Sequence, residues 1–420
     1  MSATPSGALP ARRRTGGLPL PLAASAGLVF LNAWAVYWGT ATLLGVTGSH
    51  PYAYFPELAE AFLAGRLWIV PPPWTMDLTF HDGQWYLPFP PLPALLLLPW
   101  VAVAGRDGVN SVLFSTLLGA VAVALVFALL ETCARRGWSK LDWTDNLLLT
   151  VVFGVGSVQW VIALSGAVWH LGQAAAVLFS VLAALLAASR APAMLAGGAL
   201  AVAMLARPNL ALGLPLLLGF AAQQIVDDGG SLASREGRWS LLRWTALAAV
   251  PMVVVVGLLL AYNAARFGSI FDFGYTRQVL YDVHAEKLAT YGWFNLRYIP
   301  ENVQAMLLAL PRWEGGRLFP DWTGLSLLIT TPALVLLWRA RRPSAVVIGA
   351  WLAVGLLLVP LLTYYNTGYK QFGYRFSLDF MAPLMVLLAL ALGRRAGWFA
   401  VLLMLAGVVV NAWGVWAVYG

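Results

Sequence analysis

Charge is what this chain has least of. Only 10% of its 420 residues are Asp, Glu, Lys or Arg, against roughly 25% in a soluble domain. With 60% of the residues hydrophobic, there is too little polar material to build a water-facing surface. A bilayer is the solvent in which such a composition makes sense. A single cysteine, Cys133, excludes an intrachain disulfide. The P-loop, the dinucleotide glycine fingerprint and the His-Glu-x-x-His metal helix are also missing. The net charge of +8 comes without a basic patch interleaved with stacking aromatics, so it is no sign of nucleic-acid binding.

What is present is a series of apolar runs. They place spans near 22–46, 110–130, 146–164, 168–188, 191–206, 209–222, 244–263, 323–338, 345–363, 377–392 and 397–418. The expected fold is an all-α polytopic membrane protein, a single integral domain over 1–420 with about eleven transmembrane helices. Arg12-Arg13-Arg14 precedes an apolar run too long for a signal-peptide core, which predicts an uncleaved first span. Between 191 and 222 the spans are short, and Arg207-Pro208-Asn209 must form a tight hairpin between them. The stretch 91–104 is apolar, proline-rich and shorter than a span needs, which predicts an interfacial or re-entrant helix.

Positive charge orients the series. With 91–104 on the outer face, the clusters at Arg12–Arg14, Arg135–Arg136, Arg235–Arg243, Arg339–Arg342 and Arg394–Arg395 all fall in short cytoplasmic segments, as the positive-inside rule expects. The N-terminus is then in and the C-terminus out, in an inner, cytoplasmic membrane. Of the 18 acids, only Glu131, Asp142, Asp145, Asp227, Asp228 and Glu236 fall inside. Tryptophan and tyrosine gather near span ends and in the loops, where an apolar body and a polar edge suit the headgroup level.

Two outer segments, 47–109 and 264–322, are too long to be mere connectors. In the first, Pro56 to Gly65 reads as a short helix on the membrane surface, with Glu57 and Glu60 apart from Leu58, Ala61 and Phe62. A solvated helix face is the ordinary reading of those two glutamates. Asp82-Gly83 reads as a hairpin turn, and neighbouring His81 is either a ligand or a plain loop residue. Asp77 has no such local role. It sits between Met76 and Leu78 just ahead of the juxtamembrane helix, and a carboxylate near apolar groups is suited to general-base work once its pKa is tuned. The second segment and the loop near 364–375 break the positive-inside trend, with Arg277, Arg317, Lys370 and Arg375 among tyrosines such as Tyr374. Outer cations suit a phosphate at the membrane surface. Lipid headgroups or the outer acids are the competing partners. Arg375 and Asp379 stand at the edge of a span, where charge is costly, and at i,i+4 they are placed to pair with each other.

Three segments together resemble the GT-C superfamily of membrane glycosyltransferases, which includes protein O-mannosyltransferases and lipid A aminoarabinose transferases. They are Leu58-Ala59-x-x-Phe62-Leu63-x-Gly65, Pro90-Pro91-Leu92-Pro93-Ala94-Leu95, and Gly373-Tyr374-Arg375-Phe376-Ser377-Leu378 followed by Pro383. Within the superfamily the chain looks closest to uncharacterised bacterial members. The resemblance implies inverting transfer of a sugar from a polyprenyl-phosphate donor to an acceptor hydroxyl of a glycan, lipid or protein, on the outer face of the membrane. It implies a first-loop acid as base, and later-loop cations that hold the donor phosphate. The family's acid normally stands several residues before the Leu-Ala pair, where this chain has Ser49-His50-Pro51-Tyr52 and no acid. Glu57 is nearest in sequence and Asp77 follows the helix; Asp77 is preferred. No cofactor is expected, and no ligand spacing supports a divalent cation. A lipid or polysaccharide transporter is the alternative, although the spans hold few of the polar residues a transport path needs. A non-catalytic envelope scaffold is the other.

Overall fold

The computed structural model describes residues 21–280, 282–340, 343–368 and 371–420. Arg12–Arg14, Arg341, Arg342 and Lys370 lie outside the described residues. Among the described residues seven helices are long and apolar enough to cross a membrane: Leu22–Leu43, Ser111–Arg135, Val168–Ala188, Pro208–Asp227, Arg235–Phe267, Ala345–Thr363 and Trp398–Tyr419. The chain is a multi-pass membrane protein.

The other expected spans are shorter or broken. The run near 146–164 divides into Trp143–Gly154 and Gln159–Ala163. That near 323–338 becomes Leu327–Thr330 and a 3-10 stretch Pro332–Arg339, divided where Pro332 removes a backbone donor. Ala193–Met204 has 12 residues. A 3-10 turn Arg375–Phe380 leads into Met381–Ala391, which is buried along nearly its whole length.

Ser111–Arg135 runs through the middle, flanked by Leu22–Leu43 and Val168–Ala188. Tyr37 ties the first helix inward, its hydroxyl donating to the Gly154 carbonyl at 2.7 Å. Lipid tails are as apolar as leucine, so close backbone approach at small residues holds such helices together. Ala193–Met204 meets Arg235–Phe267 at Gly197, and Leu214–Asp227 meets Ala345–Thr363 where Gly219 faces Gly349.

The segments 47–109 and 264–322 fold onto one end of this bundle. The first contains the helix Phe55–Leu63, which buries Leu58 and Ala61 and leaves Glu57 and Glu60 half-buried. It continues into the hairpin Thr79–His81 and Gln84–Tyr86, turned at Asp82-Gly83. The 13-residue helix Leu92–Ala104 follows and packs on Phe55–Leu63. The second segment interlocks with the first. Asp77 N–H donates to the Val279 carbonyl at 2.8 Å and Val279 N–H to the Leu78 carbonyl at 2.9 Å. Arg266 Nη1 donates to the Leu87 carbonyl at 2.8 Å.

Candidate active site

The interlocked segments roof a cavity of about 1530 Å³. Asp77 and Arg375 both line it. Asp77 has φ of +66°, a left-handed conformation that costs an L-residue about 1 kcal/mol and that aspartate tolerates better than most. Its side chain is held from two sides. Trp169 Nε1 donates to Oδ2 at 2.9 Å, and Gln278 Nε2 donates to Oδ1 at 3.1 Å and to the Asp77 carbonyl at 3.0 Å. Burial raises the carboxyl from its ordinary 3.8 to about 6, against the Trp169 hydrogen bond and the positive charge of Arg375. It is therefore an oriented carboxylate poised near neutrality, as a general base requires.

Trp169 reaches Asp77 because of how its helix begins. Gly166 passes so close to Ser111 that a Cβ would lie 2.7 Å from Ser111 Cβ. Val168 N–H then donates to the Tyr52 carbonyl at 2.9 Å, which anchors the start of Val168–Ala188 at the cavity wall. His50 and Tyr52 pack around the Trp169 ring. His50 lines the cavity, and burial pushes it below its ordinary pKa. His170 lines it too, with Nδ1 buried and lacking a hydrogen-bond partner among the described residues.

The sequence places Arg375 to pair with Asp379, but Asp379 has another partner. Its side chain is fully buried, and both carboxylate oxygens accept from Arg207 Nε, at 2.8 and 2.9 Å. Asn209 Nδ2 adds a bond at 2.8 Å, and Gln173 Nε2 a longer one at 3.4 Å. Gln173 also donates to the Arg375 carbonyl at 2.7 Å, fixing the backbone there. The Arg375 guanidinium lies 4.6 Å from the centre of the Phe376 ring. Among the described residues it has no carboxylate within salt-bridge distance. A permanently charged guanidinium, 9% exposed, is thus left facing the cavity beside Asp77. A buried charge is costly unless something pairs with it, and an incoming anion is suited to do so.

The remaining expected residues lie elsewhere. Arg277 pairs with Asp272 at 2.6 Å. His81 packs against Phe267 and lies 3.5 Å from Asp82. Tyr374 is fully buried behind Phe376. Arg317 is on an exposed hairpin. None of the four lines the main cavity. Glu57 lines a separate cavity of about 200 Å³ with Arg106 and Asp107, sharing Ser49, His50 and Pro51 with the main one. Arg207 and Asn209 join the site although sequence reasoning saw there only a tight hairpin. The available signal was an arginine isolated between two apolar runs, a position that demands a partner. Among the described residues, no cluster of three or more His, Cys, Asp or Glu is placed to hold a metal.

No family model and no curated protein matches the sequence. By fold, the chain is similar to ArnT from Cupriavidus metallidurans, solved bound to undecaprenyl phosphate, with a TM-score of 0.50 and 14% identity over 88% of this chain. The two chains share a fold. This chain spans 60% of ArnT's length. In this chain the segment 47–109 carries Asp77, and the 3-10 turn Arg375–Phe380 carries the cation that has no carboxylate partner among the described residues.

Proposed function

We propose that the protein is an inverting glycosyltransferase that moves a sugar from a polyprenyl-phosphate donor to an acceptor hydroxyl. One observation carries this reading: an oriented carboxylate and an unpaired guanidinium face one cavity, close enough for the charge of Arg375 to act on Asp77. Asp77 takes the proton of the acceptor hydroxyl. The acceptor oxygen forms a bond to the anomeric carbon as the bond from that carbon to the phosphate oxygen breaks. The electron pair leaves with the polyprenyl phosphate, whose growing negative charge Arg375 stabilises. Arg207 contributes less, because Asp379 already neutralises it. The apolar stretch of the wall, at Leu259, Pro360, Leu361 and Val418, suits a prenyl chain. ArnT's bound undecaprenyl phosphate supports a donor of this class. The arginine clusters on short loops support a site facing outward from an inner membrane. The acceptor is a glycan, a lipid or a protein.

The test is release of polyprenyl phosphate by purified protein in nanodiscs, offered a panel of polyprenyl-phosphate sugars. Release is expected with at least one donor, and Asp77→Asn should lower it about 10²- to 10⁴-fold, the usual contribution of a general base. Arg375→Ala should lower it too. Absence of release and of thermal stabilisation with every donor would refute the reading and favour a transporter or scaffold.

A further inference from the structure

The hairpin Arg312–Glu314 and Arg317–Phe319 stands apart from the cavity, and all six of its strand residues are exposed. Gly315 and Gly316 turn it with φ of +54° and +78°, a pair of values that suits a tight two-residue hairpin. Residues directly opposite in an antiparallel pair share a face, and successive residues alternate between faces. The register sets Trp313 against Leu318, with Arg312 against Phe319 and Glu314 against Arg317 on the opposite side. One face is therefore purely apolar, with Trp313 at 73% exposure. The other carries charge: Arg312 pairs with Asp321 at 2.8 Å, while Arg317 has no carboxylate partner among the described residues.

The chain on either side indicates what covers the apolar face. Leu308 and Leu310 are exposed just before the hairpin. After it the chain enters Leu327–Thr330, whose exposed Leu328 belongs to the outer end of an expected span. The apolar face is thus flanked along the chain by exposed apolar residues on both sides. Tryptophan beside arginine, at the mouth of a span, is the composition of the interfacial layer. We propose that this hairpin is a membrane-surface anchor, laying Trp313 and Leu318 into the boundary between headgroups and acyl chains while Arg317 meets a lipid phosphate. This role is independent of the catalytic reading, and it gives Arg317 a partner outside the cavity.

Four single-cysteine variants test it, Trp313→Cys, Glu314→Cys, Arg317→Cys and Leu318→Cys, each in a background with buried Cys133 replaced by alanine and each carrying a nitroxide. In nanodiscs containing anionic lipid, the relaxation of each label by oxygen is compared with that by a water-soluble nickel chelate. Labels at 313 and 318 should be relaxed preferentially by oxygen, and those at 314 and 317 by nickel. Preferential nickel relaxation at all four positions would overturn the proposal. Dipolar broadening between labels on two protein molecules would also overturn it, by naming a second copy as the occupant.

Discussion

Replacing Asp77 with asparagine should lower transfer about 10²- to 10⁴-fold and stabilise the fold. Burial holds the Asp77 carboxyl at about 6 instead of its ordinary 3.8, a difference of about 3 kcal/mol between protonated and ionised forms. Because the folded-state value is raised, this group's contribution to stability is fully present below the unfolded value near 3.8. It is lost as pH rises through about 6. Wild-type protein at pH 8 therefore bears a penalty of up to about 3 kcal/mol that it does not bear at pH 3. Asparagine has no charge to bury and tolerates the left-handed backbone at least as well. Its carbonyl still accepts from Trp169, and Gln278 keeps its bond to the backbone carbonyl of residue 77, so only the bond to Oδ1 is lost. Thermal unfolding in one detergent across a pH series is the assay. The midpoint of Asp77→Asn should run level with wild type near pH 4 and rise above it progressively to pH 7. A gap that does not vary with pH would refute the buried, ionised carboxylate. Retained transfer by the same variant would refute its role as base, so the two halves of the argument fail separately.

Trp169→Phe removes one hydrogen bond to the Asp77 carboxylate, worth about 1.5 kcal/mol for a charged acceptor. The acidic limb of kcat/KM for polyprenyl-phosphate release should move up by about one pH unit, and an unmoved limb would disconnect Trp169 from the base. Arg207→Ala strands the fully buried Asp379 carboxylate and should cost about 3–5 kcal/mol, seen as a large fall in unfolding midpoint. Asn209 and Gln173 alone would have to hold the charge, so an unchanged midpoint would show that Arg207 is not what compensates the buried carboxylate. Gly197→Ala places a Cβ 2.0 Å from the Ala248 carbonyl oxygen, so two helices must move apart. An unfolding midpoint lowered in keeping with about 1–3 kcal/mol of overpacking is expected, and tolerance of alanine would mean the crossing is loose.

Much of the architecture was legible in the linear order because the bilayer imposes it. Each of the seven long helices contains a stretch that was already an apolar run, and the two long intervals between spans became the roof of the cavity. Asp77 and Arg375 stood out for the same physical reason, charge placed where water is scarce. The breaks were harder to see. The run 146–164 is mostly apolar yet divides at Val155–Val158, beside Gly154, Gly156 and Ser157, and hydropathy averaged over a span does not register a local change of backbone direction.

The partners of the charges were beyond sequence reasoning. Arg375 and Asp379 are one helical turn apart, and local spacing pairs them; the fold instead brings Arg207 from 172 residues away to Asp379. Trp169 and Gln278, the two donors that orient Asp77, stand 92 and 201 residues from it. The amino-acid sequence by itself determined that this chain belongs in a membrane, where its long apolar helices lie, and which few charged groups required an explanation. Those follow from solvent preference, a property of each residue taken alone. Only the tertiary structure decided which charges neutralise one another and which is left open to a ligand. That is a matter of distance between groups far apart in the chain, set by how the helices pack.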